Sequence, residues 1–274
     1  MKNALPRRSE QGFSLIEMMI AAVIFILLCS AAFALLSVAQ QRYQTESQVL
    51  NSFQEARFGL DEMVRDVNGS AYPAKNQYAF NPNTEDPNYY AITPVAWSPG
   101  YTTSPPTPCQ IGTGGGGTCD TPGDFDLIVE RDVDYWHMDG VEWTRYQLQG
   151  NILSRSQTYK QSTSDPAGAT AASFVPYVQN VMNNASPAQI AQFQAVYPQM
   201  FPGGNPVPVF SYYCYSPYGP PQPCPSSGSY NSPTYITDVE ITLIVMAPTK
   251  DAQSGQVRLI ELHGRGHNMN PIQY

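Results

Sequence analysis

After a short basic leader the chain carries an apolar stretch that does not end where its hydrophobicity ends. From Phe13 to Ala39 it reads FSLIEMMIAAVIFILLCSAAFALLSVA, and at 1.5 Å of rise per residue a helix of that length crosses a hydrocarbon core of about 30 Å. Past Ala39 polar residues take over, yet Val49, Leu50, Phe53, Ala56, Leu60, Met63, Val64 and Val67 recur at spacings of three and four, the signature of a helix with one apolar face. Gly69 and Pro73 read as the stop, and the lone Gly59 weakens the helix by about 1 kcal/mol. The pattern predicts one helix from Phe13 to Asn68, roughly 84 Å long. It spans a membrane over 13–39 and is amphipathic over 40–69.

Residues 70–274 change to a period of two and form the head. The part from 70 to 123 is rich in Pro, Gly, Tyr and Asn, with short strand candidates such as Tyr89 to Val95. Then FDLIVERDVDYWHM and VEWTRYQLQGNILSRSQTY alternate around turns at Asp139-Gly140 and Gly150-Asn151, which predicts an antiparallel meander. Residues 207–215, residues 235–247 and a last strand from Gln256 complete five or six strands, expected to form one sheet. A sheet must bury a face, and the amphipathic half of the helix can cover it. The fold class is therefore α+β: a long N-terminal helix packed on an antiparallel β-sheet head. Around 174–205 a helical insertion is expected, with Ser186 and Pro187 as N-cap and first helical residue before AQIAQFQAVY.

Charge and cysteines place the head outside the cytoplasm. With 14 basic and 22 acidic side chains the formal charge is -8, which repels phosphate backbones, so no nucleic acid is expected as partner. Cys109 and Cys119 flank a Gly-rich loop, and Cys214 and Cys224 a Pro-rich one, at equal spacing. Zinc prefers closer ligand pairs, so these read as two disulfide-bonded loops of an oxidising compartment. Cys29, inside the apolar stretch, reads as a small buried hydrophobe. Lys2, Arg7 and Arg8 hold the leader in the cytoplasm by the positive-inside rule.

A secretory signal peptide is the rival reading, with Ala32-Phe33-Ala34 as an A-x-A cleavage pattern. The apolar run is longer than an h-region of about 7 to 15 residues, and it carries an acid, Glu17. A twin-arginine address at Arg7-Arg8 lacks the apolar residues that should follow directly. An ionised carboxylate within a spanning helix costs about 2.5 to 3.5 kcal/mol and marks a specific partner. If the chain is cut between Gly12 and Phe13, the new α-amine lies one helical turn from Glu17. Opposite charges about 4 Å apart at an effective dielectric near 20 gain about 4 kcal/mol, which roughly offsets insertion.

These residues carry a family resemblance. RRSEQGFSLIEMMIA resembles the prepilin cleavage and methylation motif of the type IV pilin and pseudopilin superfamily, with Gly12 before the cut, Phe13 after it and Glu17 fifth in the mature chain. The resemblance implies cleavage by a prepilin peptidase and methyltransferase, N-methylation of Phe13, and storage in the inner membrane as a single-pass protein with its head outside the cytoplasm. It also implies that Glu17 pairs with the amine of an adjacent subunit, and that the assembled filament is periplasmic or on the cell surface. Tyr146, Leu153, Arg155 and the later FSYYCY resemble the heads of PilW-type minor pilins and of J-type minor pseudopilins of type II secretion. The implied role is structural: a minor subunit that initiates, caps or decorates a type IV pilus or secretion pseudopilus, with other pilin subunits as partners.

Enzyme chemistry has little to build with. His137, His263 and His267 lack ligand spacing, and Gly114 to Gly117 is followed by no GK[ST], so neither a cofactor nor a metal is expected. Asp132, Asp134 and Asp139 as a calcium site would need an enclosing loop that strand alternation does not supply. The alternative function is a membrane-anchored extracellular adhesin using the cluster Tyr212, Tyr213, Tyr215 and Tyr218, and a third reading is a soluble protein freed at Ala34. Strand tyrosines filling the sheet faces and a Tyr-Pro loop packed on itself are the simpler account of that cluster.

Overall fold

A computed structural model describes residues 12–74, 87–98, 101, 111, 119, 122–134, 140–160, 165–225, 230–251 and 255–270. Of the candidates named above, Cys109, the Gly114–Gly117 run, His137 and Asp139 lie outside the described residues. The chain divides into two compact units, Met1–Gln48 and Val49–Tyr274, with the boundary inside helix α1, Leu15–Asn68. The helix begins two residues after the expected Phe13 and ends at Asn68, where Gly69 N–H donates to the Arg65 carbonyl and Ala71 takes a φ of 62°.

Within the second unit the described strands form two antiparallel four-stranded sheets, not the single sheet expected. The first has the order β1-β2-β3-β4, from Asp126–Arg131, Glu142–Gln149, Ile152–Tyr159 and Val175–Val178. The second has the order β6-β5-β7-β8, from Gln222–Pro223, Phe210–Cys214, Ile236–Lys250 and Val257–His267. The sheets are stitched rather than fused: Val209 and Phe210 N–H groups both donate to the Asp124 carbonyl, and Met182 N–H donates to the Ile244 carbonyl. Tyr89 to Val95 is not a strand. Pro87–Tyr89 is a 3-10 turn, and Ala91 and Val95 make only single bridges.

The C-terminal half of α1 covers both sheets. Ala56, Leu60, Met63 and Val67 share one core with Leu127, Tyr146, Leu153 and Val178 of the first sheet and Phe210, Val239, Ile241 and Leu243 of the second. Leu50, expected on this face, is exposed. The approach is close because glycines face it. A Cβ on Gly266 would lie 2.5 Å from Val67 Cβ, one on Gly264 2.8 Å from Val64 Cγ2, and one on Gly59 2.6 Å from Val178 Cγ2. Gly59 is therefore a packing site and more than a weak point in the helix.

The far face of each sheet is covered too. Ile128 and Trp143 alternate with the helix-facing residues of the first sheet and pack with Trp97 and Tyr101. Lys160 there forms a fully buried ion pair with Glu130, donates to the Tyr90 carbonyl at 3.0 Å and lies 5.4 Å from the Tyr101 ring centroid. Ile92 and Thr93 N–H groups donate to the same Glu130 carboxylate. Burial pushes that carboxyl up, against the pull of Lys160. On the second sheet Ile244 and Leu259 pack against Met182, Ile190 and Phe201. Ile190 belongs to a helix at Pro187–Gln194 (α3; α2 is Pro166–Thr170) whose start is fixed by a capping box between Ser186 and Gln189.

Candidate processing and assembly site

Gly12, Phe13 and Ser14 precede α1 without regular structure, and Phe13 is 86% exposed. Glu17 sits in the first turn, where amide N–H groups lack helical acceptors and favour a carboxylate. Its Oε2 accepts a 2.9 Å hydrogen bond from Ser14 N–H. In the chain that still carries its leader, the carboxylate is thus held by its own backbone. A cut before Phe13 would create an amine one residue from that donor. Gly12, Phe13 and Glu17 therefore lie together on an accessible end.

The helix that follows is apolar on all sides. It contains an 18-residue window of mean hydropathy 2.8, none of it buried, and Leu15, Ile16, Met18, Met19, Phe25 and Leu28 are each more than half exposed. Ser30 Oγ donates to the Ile26 carbonyl at 2.7 Å, which satisfies its hydroxyl within the helix, as lipid demands. Cys29 is a free, half-buried thiol. The surface is built for lipid or for other helices and excludes water at about 25 cal/mol per Å² when covered.

At the other end of α1 a charged cluster fastens the helix to the first sheet. Asp66 is fully buried, ion-pairs with Arg131 at 2.7 Å and accepts a 2.6 Å hydrogen bond from the Tyr146 hydroxyl. Arg155, the cross-strand partner of Tyr146, donates to that hydroxyl at 3.2 Å and approaches Glu62 and Asp66 at 3.8 and 3.7 Å. Tyr177 donates to Glu62 at 2.8 Å. Burial first, and then the neighbouring acids, push the Tyr146 and Tyr177 hydroxyls well up. The same partners hold the Arg155 guanidinium up against its own desolvation. Two acids and two arginines balance, so the cluster is a fastening and offers no free base or nucleophile.

Sequence reasoning singled out Tyr146, Leu153 and Arg155 by resemblance but missed Asp66, Glu62 and Arg131. The available signal was Asp66 itself, an acid on the apolar stripe between Met63 and Val67. Asp132, one of the calcium candidates, instead accepts from Asp134 N–H at 2.9 Å. His263 lies on β8 beside Thr242, and His267 faces Asp238 at 3.2 Å. The structure brings these two histidines to no common centre.

Cys214 and Cys224 form a disulfide with Cα atoms 4.8 Å apart. Cys119 is also disulfide-bonded. The tyrosines divide by position. Tyr212 is buried and donates to the Gly123 and Asp126 carbonyls, and Tyr213 donates to Glu240, whereas Tyr215 and Tyr218 are 53% and 97% exposed. The Tyr-Pro loop does not pack on Tyr218.

A family model for the prokaryotic N-terminal methylation motif matches residues 7–33. No curated protein and no solved structure matches the chain. The match spans Gly12, Phe13, Glu17 and most of the apolar run, so the N-terminus carries a type IV pilin-like, prepilin-type signal, a motif of structural and not enzymatic proteins. That signal and the apolar helix fit a membrane-anchored precursor.

Proposed function

We propose that the protein is a minor subunit of a type IV pilus or secretion pseudopilus, processed between Gly12 and Phe13, N-methylated at Phe13 and stored in the inner membrane with its head outside. The observation that carries this reading is an acid, Glu17, in the first turn of a helix whose 18-residue apolar window is entirely unburied, within the residues that match the methylation motif. Once the leader is removed, Glu17 exchanges its intrachain donor for the α-amine of a neighbouring subunit, and burial of residues 13–39 among sister helices drives assembly. The large head, with two sheets and several loops, suits a tip or initiating position better than a dense helical array. Its partners are other pilin or pseudopilin subunits and the prepilin peptidase and methyltransferase.

The reading is tested by Glu17→Ala in the native host, followed by separation of sheared filaments from membranes. The expected result is normal cleavage and membrane storage with loss from the filament fraction. Equal recovery of wild type and variant in filaments would contradict the assembly role of Glu17.

A further inference from the structure

We propose that the disulfide-closed loop after β5 is a binding platform for a neutral glycan. This goes beyond the filament role and does not depend on it. β5 ends at Cys214, the chain swings out through Tyr215 to Pro221, and β6 returns it to the sheet with Cys224 bonded to Cys214. An open pocket results, lined by Tyr215, Ser216, Tyr218, Gln222, Pro223 and Tyr230. Tyr215 is braced from the side, edge-to-face on Tyr230 at 6.4 Å, and Tyr230 in turn on Tyr235 at 5.2 Å. The bracing orients Tyr215 and leaves it half exposed, while Tyr218 stands almost fully in water.

The chemistry of the occupant follows from charge. From Pro166 to Thr237 the sequence contains no Asp, Glu, Lys, Arg or His, in a chain whose formal charge is -8. The residues that line the pocket are uncharged and offer no ion pair to a nucleic acid or to a charged peptide. A pyranose ring meets it on both counts: its C–H face stacks on a tyrosine, and its hydroxyls find the Ser216 hydroxyl, the Gln222 amide and the phenols. The disulfide and the ring ladder preorganise the loop, which lowers the ordering cost of binding.

The probe is hydroxyethylcellulose, a neutral β-linked glucan, cast into native gels on which the detergent-solubilised full chain is run. Retardation relative to a gel without polymer is expected, and the Tyr215→Ser/Tyr218→Ser variant should bind about five- to tenfold more weakly, the loss of one or two stacked rings. Intact mass confirming the Cys214–Cys224 disulfide, and an unchanged denaturation midpoint, keep a misfolded variant from counting. Unaltered mobility of wild type, retardation equal in the variant, or binding only to dextran sulfate or to a polyproline peptide would overturn the proposal.

Discussion

The Tyr146 hydroxyl donates a 2.6 Å hydrogen bond to Asp66, joining the middle of β2 to the last turns of α1 across the main core. Both residues are fully buried, and Arg131 and Arg155 approach the same carboxylate from β1 and β3. The pair marks where the last turns of α1 are locked to the sheets.

Asp66→Asn should destabilise the head by about 3 to 5 kcal/mol, because it removes the fully buried carboxylate that Arg131, largely shielded from water, and the Tyr146 hydroxyl both face. Glu62→Gln, at a site about one-third exposed, should cost less than about 1 kcal/mol. Urea denaturation of the detergent-solubilised chain compares the two, and equal effects would refute the assignment of Asp66 as the anchor.

The tyrosines of this cluster predict an alkaline limit. Folding raises the Tyr146 and Tyr177 hydroxyls above their ordinary value of 10.0. In the unfolded chain they release protons near pH 10.0, while in the folded chain they hold them. Their contribution is therefore complete below about pH 10 and is lost as pH rises beyond it. Denaturation midpoints followed from about pH 8 to 11 should be level first and then fall. A profile that stays flat to the upper end would contradict the burial of these hydroxyls.

Gly266→Ala should cost about 1 to 3 kcal/mol, since the added Cβ meets the Cβ of Val67, which is fixed to the helix backbone, and something must shift. Gly219→Ala, where a Cβ meets nothing within 4 Å, should change stability by less than about 0.5 kcal/mol. Thermal melts of the two variants read the contrast.

Loss of the loop disulfide through Cys214→Ser, with Cys224→Ser, should lower stability by about 3 kcal/mol through loop-closure entropy. Cys29→Ser should leave the denaturation midpoint of the head unchanged, because Cys29 lies in the other unit.

Local signals were legible in the sequence, and distant pairings were not. The helix and its end at Asn68 followed from periodicity and punctuation, though it starts at Leu15 and not at Phe13, and the Ser186 cap followed from Pro187 directly after it. The division into two sheets did not, because β5 finds its partner β7 across the Tyr-rich loop and β4 is a four-residue strand set inside a segment whose composition reads as an excursion. Tyr89 to Val95 has strand-like residues, but Ile92 and Thr93 donate to the Glu130 side chain and leave no ladder. At the N-terminus Gly12, Phe13 and Glu17 stand close together in the chain, inside residues 7–33 that match the methylation motif, so they need no fold to bring them together. The anchor at Asp66 draws its partners from residues 131, 146 and 155, which only the fold brings together.

Mass spectrometry of the N-terminal peptide of the protein isolated from its native host reads the processing between Gly12 and Phe13 itself. A prepilin-type precursor should yield a chain that begins at Phe13 and carries one N-methyl group. A chain that begins at Met1, or after Ala34, would contradict that processing.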